Sequence, residues 1–111
     1  MEKSDFIWLN GEFVNWEDAN VSVMSHTLHY GTGVFEGIRA RDSQIGTSIF
    51  RLTDHVNRLY ESADAYSLPI PYKKEEVTQA IKDSVHINKL SSAYIRPVSY
   101  THLTLPTIYS V

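Results

Sequence analysis

His26-Thr27-Leu28-His29-Tyr30-Gly31-Thr32-Gly33-Val34-Phe35-Glu36-Gly37-Ile38-Arg39-Ala40 passes from a short helical run into an extended one. Ser25 is placed to cap a brief helical turn through His29, and Gly31 and Gly33 break it. Val34 to Ala40 resumes extended character and ends in the polar turn Asp42 to Gly46, after which Ser48 to Arg51 reads as a further strand. Toward the N-terminus, Val21-Ser22-Val23-Met24 is another extended run. Before it, Phe6 to Leu9 and Glu12 to Val14 flank Asn10-Gly11, the turn pair that accepts positive φ at both central positions of a hairpin. Toward the C-terminus, Thr53 is an N-cap candidate for a helix in which Val56, Leu59, Tyr60, Ala63 and Tyr66 recur at spacings of three and four. Pro69 and Pro71 end that helix. A second is expected from about Lys73 to Lys89, with Val77, Ala80, Ile81, Ser84, Val85 and Asn88 on a stripe that is only partly apolar. Ala93 to Pro97 reads as a last strand. The expected fold is α+β, an antiparallel sheet carrying two helices.

Size and composition narrow the function. The 111 residues allow one domain with a modest core, 42% of them apolar and 21% charged. A net charge of -3 and the absence of any Lys/Arg cluster argue against a nucleic-acid partner. No apolar run approaches the roughly 20 residues of a membrane-spanning helix, and the charged opening Met1 to Asp5 is unlike a signal peptide. There is no cysteine, which excludes disulfides and thiolate chemistry and fits a cytoplasmic location.

Local motifs alone leave the chemistry open. His26-x-x-His29 can place two imidazoles on one helical face, but zinc takes three or four protein ligands, so no metal is expected. His55 and His86 lie in helix patterns where exposure is the default. Tyr30-Gly31-Thr32-Gly33 contains G-x-G without the third glycine of a dinucleotide fingerprint. Aromatics and glycines beside two histidines and Arg39 would let the backbone approach a ligand closely; a glycine-rich hairpin under aromatic cover explains them equally well.

Longer matches are more specific. His26-x-Leu28-His29-Tyr30-Gly31-x-x-Val34-Phe35-Glu36-Gly37-Ile38-Arg39 resembles the signature of branched-chain amino-acid aminotransferases, pyridoxal-phosphate enzymes of fold type IV. Ile7-Trp8-x-Asn10-Gly11-Glu12, His55-x-x-Arg58-Leu59 and Ala93-Tyr94-Ile95-Arg96-Pro97 are similar to that family in the same order, so the resemblance spans about residues 6 to 97. D-amino-acid aminotransferases and aminodeoxychorismate lyases, of the same fold type, usually differ in the glycine turn and lack the Tyr94 to Pro97 run. A D-amino-acid aminotransferase is the nearest alternative, and a β-rich binding module the non-enzymatic one.

The resemblance implies a role for each matched residue. Arg58 would anchor the cofactor phosphate, where a cation is required, although an exposed helix arginine in a surface ion pair is the plain alternative. Phe35 and Tyr94 would wall the substrate pocket, Gly37 would leave room, and Arg96 with the hydroxyl of Tyr30 would hold a carboxylate. An ordinary strand explains Tyr94 and Arg96 otherwise. In similar enzymes Tyr30 reaches across a dimer interface, so a homodimer or higher homo-oligomer is expected. The implied reaction moves an amino group between leucine, isoleucine or valine and 2-oxoglutarate, and needs a desolvated lysine carrying the cofactor as a Schiff base. Lys3, Lys73, Lys74, Lys82 and Lys89 lie in a charged terminus or on polar helix faces and are not expected to serve. In the family that lysine belongs to a larger C-terminal domain. The chain is therefore expected to be an N-terminal fragment without a catalytic residue, inactive alone.

The last expectation concerns residues 98–111. All ten Lys/Arg and all thirteen Asp/Glu fall between Glu2 and Arg96, and after Pro97 the sequence departs from the family. Val98 to Thr107 is also similar to one reading frame of a transposase-library sequencing adapter. Residues 1–97 are therefore expected to form the native small domain and 98–111 a non-native tail.

Overall fold

The computed structural model describes residues 4–101. The order is β1 (Phe6–Leu9), β2 (Glu12–Asn15), a 3₁₀ turn (Trp16–Asp18), α1 (His26–Tyr30), β3 (Gly33–Phe35), β4 (Ile38–Ser43), β5 (Gly46–Ile49), α2 (Leu52–Ala65), α3 (Lys74–Ile87), β6 (Ala93–Ile95) and β7 (Val98–Tyr100). The α+β class and antiparallel pairing are as expected. Among the described residues the strands divide into three small sheets, β1-β2, β3-β7 and β5-β4-β6, where the sequence suggested one. Gly37 separates β3 from β4, so one extended run of sequence serves two sheets.

The first hairpin turns at Asn10 (φ 53°) and Gly11 (φ 93°), with Leu9 opposite Glu12. Two successive positive φ angles match the right-handed twist of the flanking strands. Gly31 (φ 70°) ends α1 in the left-handed conformation, its N–H donating to the Thr27 carbonyl.

Three local expectations are revised. Val21 to Met24 forms no strand: the Ser22 hydroxyl accepts the Met24 N–H at 3.0 Å and the Ser22 carbonyl accepts the Ser25 N–H at 3.0 Å, so a turn replaces extended pairing. Ser25 precedes α1 but does not cap it with its side chain, because its buried hydroxyl donates to the Thr101 carbonyl at 2.6 Å. Helix α2 begins at Leu52, ahead of Thr53, with Arg51 in the left-handed region and bonded through Nε to Asp54 at 2.8 Å.

Helix α2 buries Val56, Leu59 and Ala63, and α3 buries Val77, Ala80, Ile81 and Val85. One core cluster joins Val34 to Leu59, Ala63 and Leu68; the other joins Ile38 to Val56, Val77 and Ile81. Along β4, Ile38 and Ala40 face this core while Arg39 and Arg41 face outward, the period of two expected of a half-buried strand. The polar residues of the α3 stripe have partners. Ser84 donates to the Ala80 carbonyl, while Asn88 accepts the Phe6 N–H at 2.9 Å and donates to the Phe6 carbonyl at 3.0 Å. Asn88 thus binds the first hairpin to the end of α3 as a neighbouring strand would. Tyr100 of β7 pairs with Gly33, and the rest of the suspected tail, residues 102–111, lies outside the described residues.

Candidate cofactor and substrate site

The site is built around Phe35-Glu36-Gly37, between β3 and β4. Extended backbone sends neighbouring side chains to opposite faces. Phe35 is accordingly 57% exposed and Glu36 only 6%. A carboxylate so buried is costly unless it is paired. Helix α2 supplies the partners from His55 and Arg58, three residues apart and so on one helical face. Arg58 donates from Nε to both Glu36 oxygens (3.0 and 2.9 Å) and from Nη2 to Oε1 (2.8 Å). His55 Nδ1 lies 2.8 Å from Oε1, and since an ionised carboxylate only accepts, the ring proton sits on Nδ1.

Arg58, foremost, and then His55 outweigh burial and hold the Glu36 carboxyl below the usual glutamate range; its hydrogen bond and charge in turn raise Arg58. A carboxylate with a depressed folded-state pKa stabilises the fold above its unfolded pKa, and that contribution is lost as pH falls through the folded value. Stability to urea is expected to fall as pH is lowered past the ordinary glutamate range. Glu36→Gln is expected to lack this component of the acid dependence. Parallel acid profiles for the two proteins would exclude it.

On the other face, the Arg96 guanidinium lies 4.4 Å from the Phe35 ring centre and 5.5 Å from that of Tyr94. Tyr94 stands opposite Arg39 in the β4-β6 register, so Arg39 adds a second cation to this face. The Tyr94 phenol occupies the space over Gly37: a Cβ there would lie 2.8 Å from Cζ and closer still to the hydroxyl. Absence of a side chain at Gly37 therefore admits Tyr94.

Of the residues singled out in the sequence, Phe35, Gly37, Tyr94 and Arg96 come together. Arg58 is linked to them through Glu36, on the opposite side of the Phe35 to Gly37 segment. Tyr30, 65% exposed at the end of α1, has its ring 4.5 Å from that of His26 and 6.2 Å from that of His29. His29 Nε2 bonds to the Val23 carbonyl at 2.8 Å, and no three His, Asp or Glu side chains gather into a metal site among the described residues. Lys73, Lys74, Lys82 and Lys89 are all exposed, and Lys3 lies outside the described residues.

His55 is half-buried and paired, against the expected exposure, and Glu36 was not singled out at all. The available signal was a glutamate in the glycine segment with histidine and arginine three apart on a helix. A concavity of about 730 Å³ between β5 and helices α2 and α3 is lined by Thr47, Leu52, Lys82 and His86 among others and contains none of the matched residues that form the site. Its volume carries less weight than the two side-chain groups that flank the Phe35 to Gly37 segment, Glu36 with Arg58 on one side and Phe35 with Tyr94 and Arg96 on the other.

The sequence model of the class IV amino-transferase family matches residues 33–103, which contain every residue of this arrangement. The chain belongs to the class IV aminotransferases. Within the family, it is 52% identical over 99 residues to the branched-chain-amino-acid aminotransferase of Escherichia coli K12, covering 89% of this chain and 32% of that protein. A putative branched-chain-amino-acid aminotransferase of Methanocaldococcus jannaschii is 48% identical over 92 residues, covering 83% and 31%. Among solved structures, a T.th. branched-chain amino acid aminotransferase complexed with N-(5'-phosphopyridoxyl)-L-glutamate superposes with a TM-score of 0.92 at 48% identity, over 95% of this chain and 35% of that one. The branched-chain aminotransferase from Escherichia coli superposes with 0.88 at 51% identity, over 90% and 34%. This class IV aminotransferase chain thus spans about a third of the length of these relatives. No helix among its described residues is long and apolar enough to cross a membrane.

Proposed function

We propose that this chain is the small N-terminal domain of a branched-chain amino-acid transaminase that moves the amino group between leucine, isoleucine or valine and 2-oxoglutarate. The observation that carries the reading is the Arg96 guanidinium held against the Phe35 and Tyr94 rings. A transaminase of this kind must accept a branched apolar side chain and the carboxylate of glutamate at one place. Aromatic walls with a cation between them supply both surfaces. Tyr30 is assigned to the same substrate, offered by its exposure at the end of α1.

Arg58 fits the phosphate end of pyridoxal phosphate. A guanidinium has five N–H donors in a planar fork, and Glu36 engages the Nε and Nη2 edge. Among the described residues no partner takes Nη1, and the side chain is 65% exposed. When bound, pyridoxal phosphate supplies an electron sink for the charge that develops at the amino-acid α-carbon. This chain's residues bind and orient: Arg58 the phosphate, Arg96 a carboxylate, Phe35 and Tyr94 the apolar side chain. The lysine that moves the proton and the carboxylate facing the pyridine nitrogen are assigned to the rest of the protein, so the chain alone is inactive. The same reading takes 1–97 as the native domain of a cytoplasmic homo-oligomer and 98–111 as foreign to it, which the coding frame beyond the Pro97 codon tests.

Arg96→Leu in the full-length enzyme is expected to lower kcat/KM for glutamate by about tenfold or more beyond any loss for leucine, since only glutamate brings a second negative charge to the pocket. Steady-state kinetics with both donors measures the difference. Equal losses would make Arg96 structural and remove the observation on which the reading rests.

A further inference from the structure

We propose that Glu36 is a positioning residue for the cofactor phosphate, holding the Arg58 guanidinium by one edge so that the other is presented outward. The inference rests on the reading of Arg58 as the phosphate anchor and adds what makes an exposed arginine an anchor. Left to itself, an arginine 65% exposed on a helix would sample many rotamers and would have to be ordered when phosphate binds. Here Glu36 supplies that ordering from within the chain. Nε bonds both carboxylate oxygens and Nη2 bonds one of them, which fixes the plane and direction of the fork.

Glu36 is itself fixed. It is 6% exposed, its N–H donates to the Pro97 carbonyl at 3.1 Å, and His55 Nδ1 holds Oε1. Burial of this carboxylate is poorly explained by stability alone, because an apolar side chain in its place would leave neither desolvation nor an orphaned charge to offset. The Pro97 contact also ties the Arg58 side of the segment to the strand end that carries Arg96. A carboxylate near a phosphate repels it as well. That repulsion acts across the width of the guanidinium and weakens with distance, whereas the orienting bonds act at contact.

The test uses the full-length enzyme with Glu36→Gln, Glu36→Asp and Arg58→Gln. Equilibrium binding is followed by absorbance for pyridoxal phosphate and for pyridoxal, which lacks the phosphate. Glu36→Gln is expected to weaken pyridoxal phosphate about tenfold or more, as loss of charge-assisted bonds implies, and to leave pyridoxal unchanged. Inorganic phosphate should compete with pyridoxal phosphate less effectively in this variant than in wild type. Arg58→Gln should lose at least as much, and the double variant little more, because the two residues act as a unit. Glu36→Asp keeps the charge but withdraws it by one methylene, and should give a smaller loss with the same selectivity for the phosphate. It stands in if Glu36→Gln does not fold. Unchanged or tighter pyridoxal phosphate binding in the Glu36 variants, beside a loss in Arg58→Gln, overturns the inference and leaves Arg58 as anchor. Equal loss of pyridoxal and pyridoxal phosphate also overturns it, as a merely structural role would have that effect. Unchanged binding in Arg58→Gln removes the underlying reading itself.

Discussion

Arg58→Ala in the full-length enzyme is expected to reduce cofactor retention by about a hundredfold or more, the loss that follows when a paired set of charge-assisted contacts to a phosphate disappears. The size of the effect comes from two losses at one substitution. The outward Nη1 edge goes, and Glu36 is left with His55 Nδ1 as its one remaining side-chain partner among the described residues. Arg58→Lys separates these losses, because an ammonium keeps the charge but cannot hold a carboxylate by one edge and offer another. It is expected to fold and to bind cofactor between wild type and Arg58→Ala. Gel filtration followed by the absorbance of retained cofactor measures the effect, and a thermal melt without cofactor shows how much comes from the stranded carboxylate. Retention equal to wild type would mean that Arg58 is an ordinary surface arginine that neutralises Glu36.

The second large effect is expected in the core beneath the site. Ile38 has no solvent exposure and packs with Val56, Val77 and Ile81, joining β4 to both long helices. Ile38→Ala should cost about 2–5 kcal/mol, transfer of the missing methyls plus the cavity they leave. Domains have only about 5–15 kcal/mol in total, so the substitution should remove a large part of the folded state's margin. The consequence reaches the site, because Ile38 follows Gly37 and stands opposite Ile95, the residue between Tyr94 and Arg96. A collapse here would displace Glu36 and the aromatic pair together. Urea unfolding of wild type, Ile38→Ala and Ile38→Val measures it, with the valine variant expected within about 0.5–1.5 kcal/mol of wild type. An alanine variant as stable as the valine one would show that the two helices do not depend on this contact.

Residues close in sequence settled most of the local structure. Asn10-Gly11 implied the first hairpin because glycine and asparagine accept the positive φ that this turn requires. Spacings of three and four placed Val56, Leu59 and Ala63 on the buried face of α2, and the prolines after Ser67 limited that helix. The matched motifs, long and in register, identified the family and the residues worth following. Tertiary structure decided what those residues meet. The Glu36 contacts with His55 and Arg58 join positions 19 and 22 apart in sequence, and Asn88 completes the bonding of Phe6 across 82. Periodicity and turn preference act over a few residues and carry no information about such pairings. For the same reason the division into three sheets, the Tyr94 phenol over Gly37 and the pairing of His55 were not legible. Each depends on which surfaces are brought together when apolar faces leave water, and burial then requires a charge such as Glu36 to find its partner, however distant along the chain.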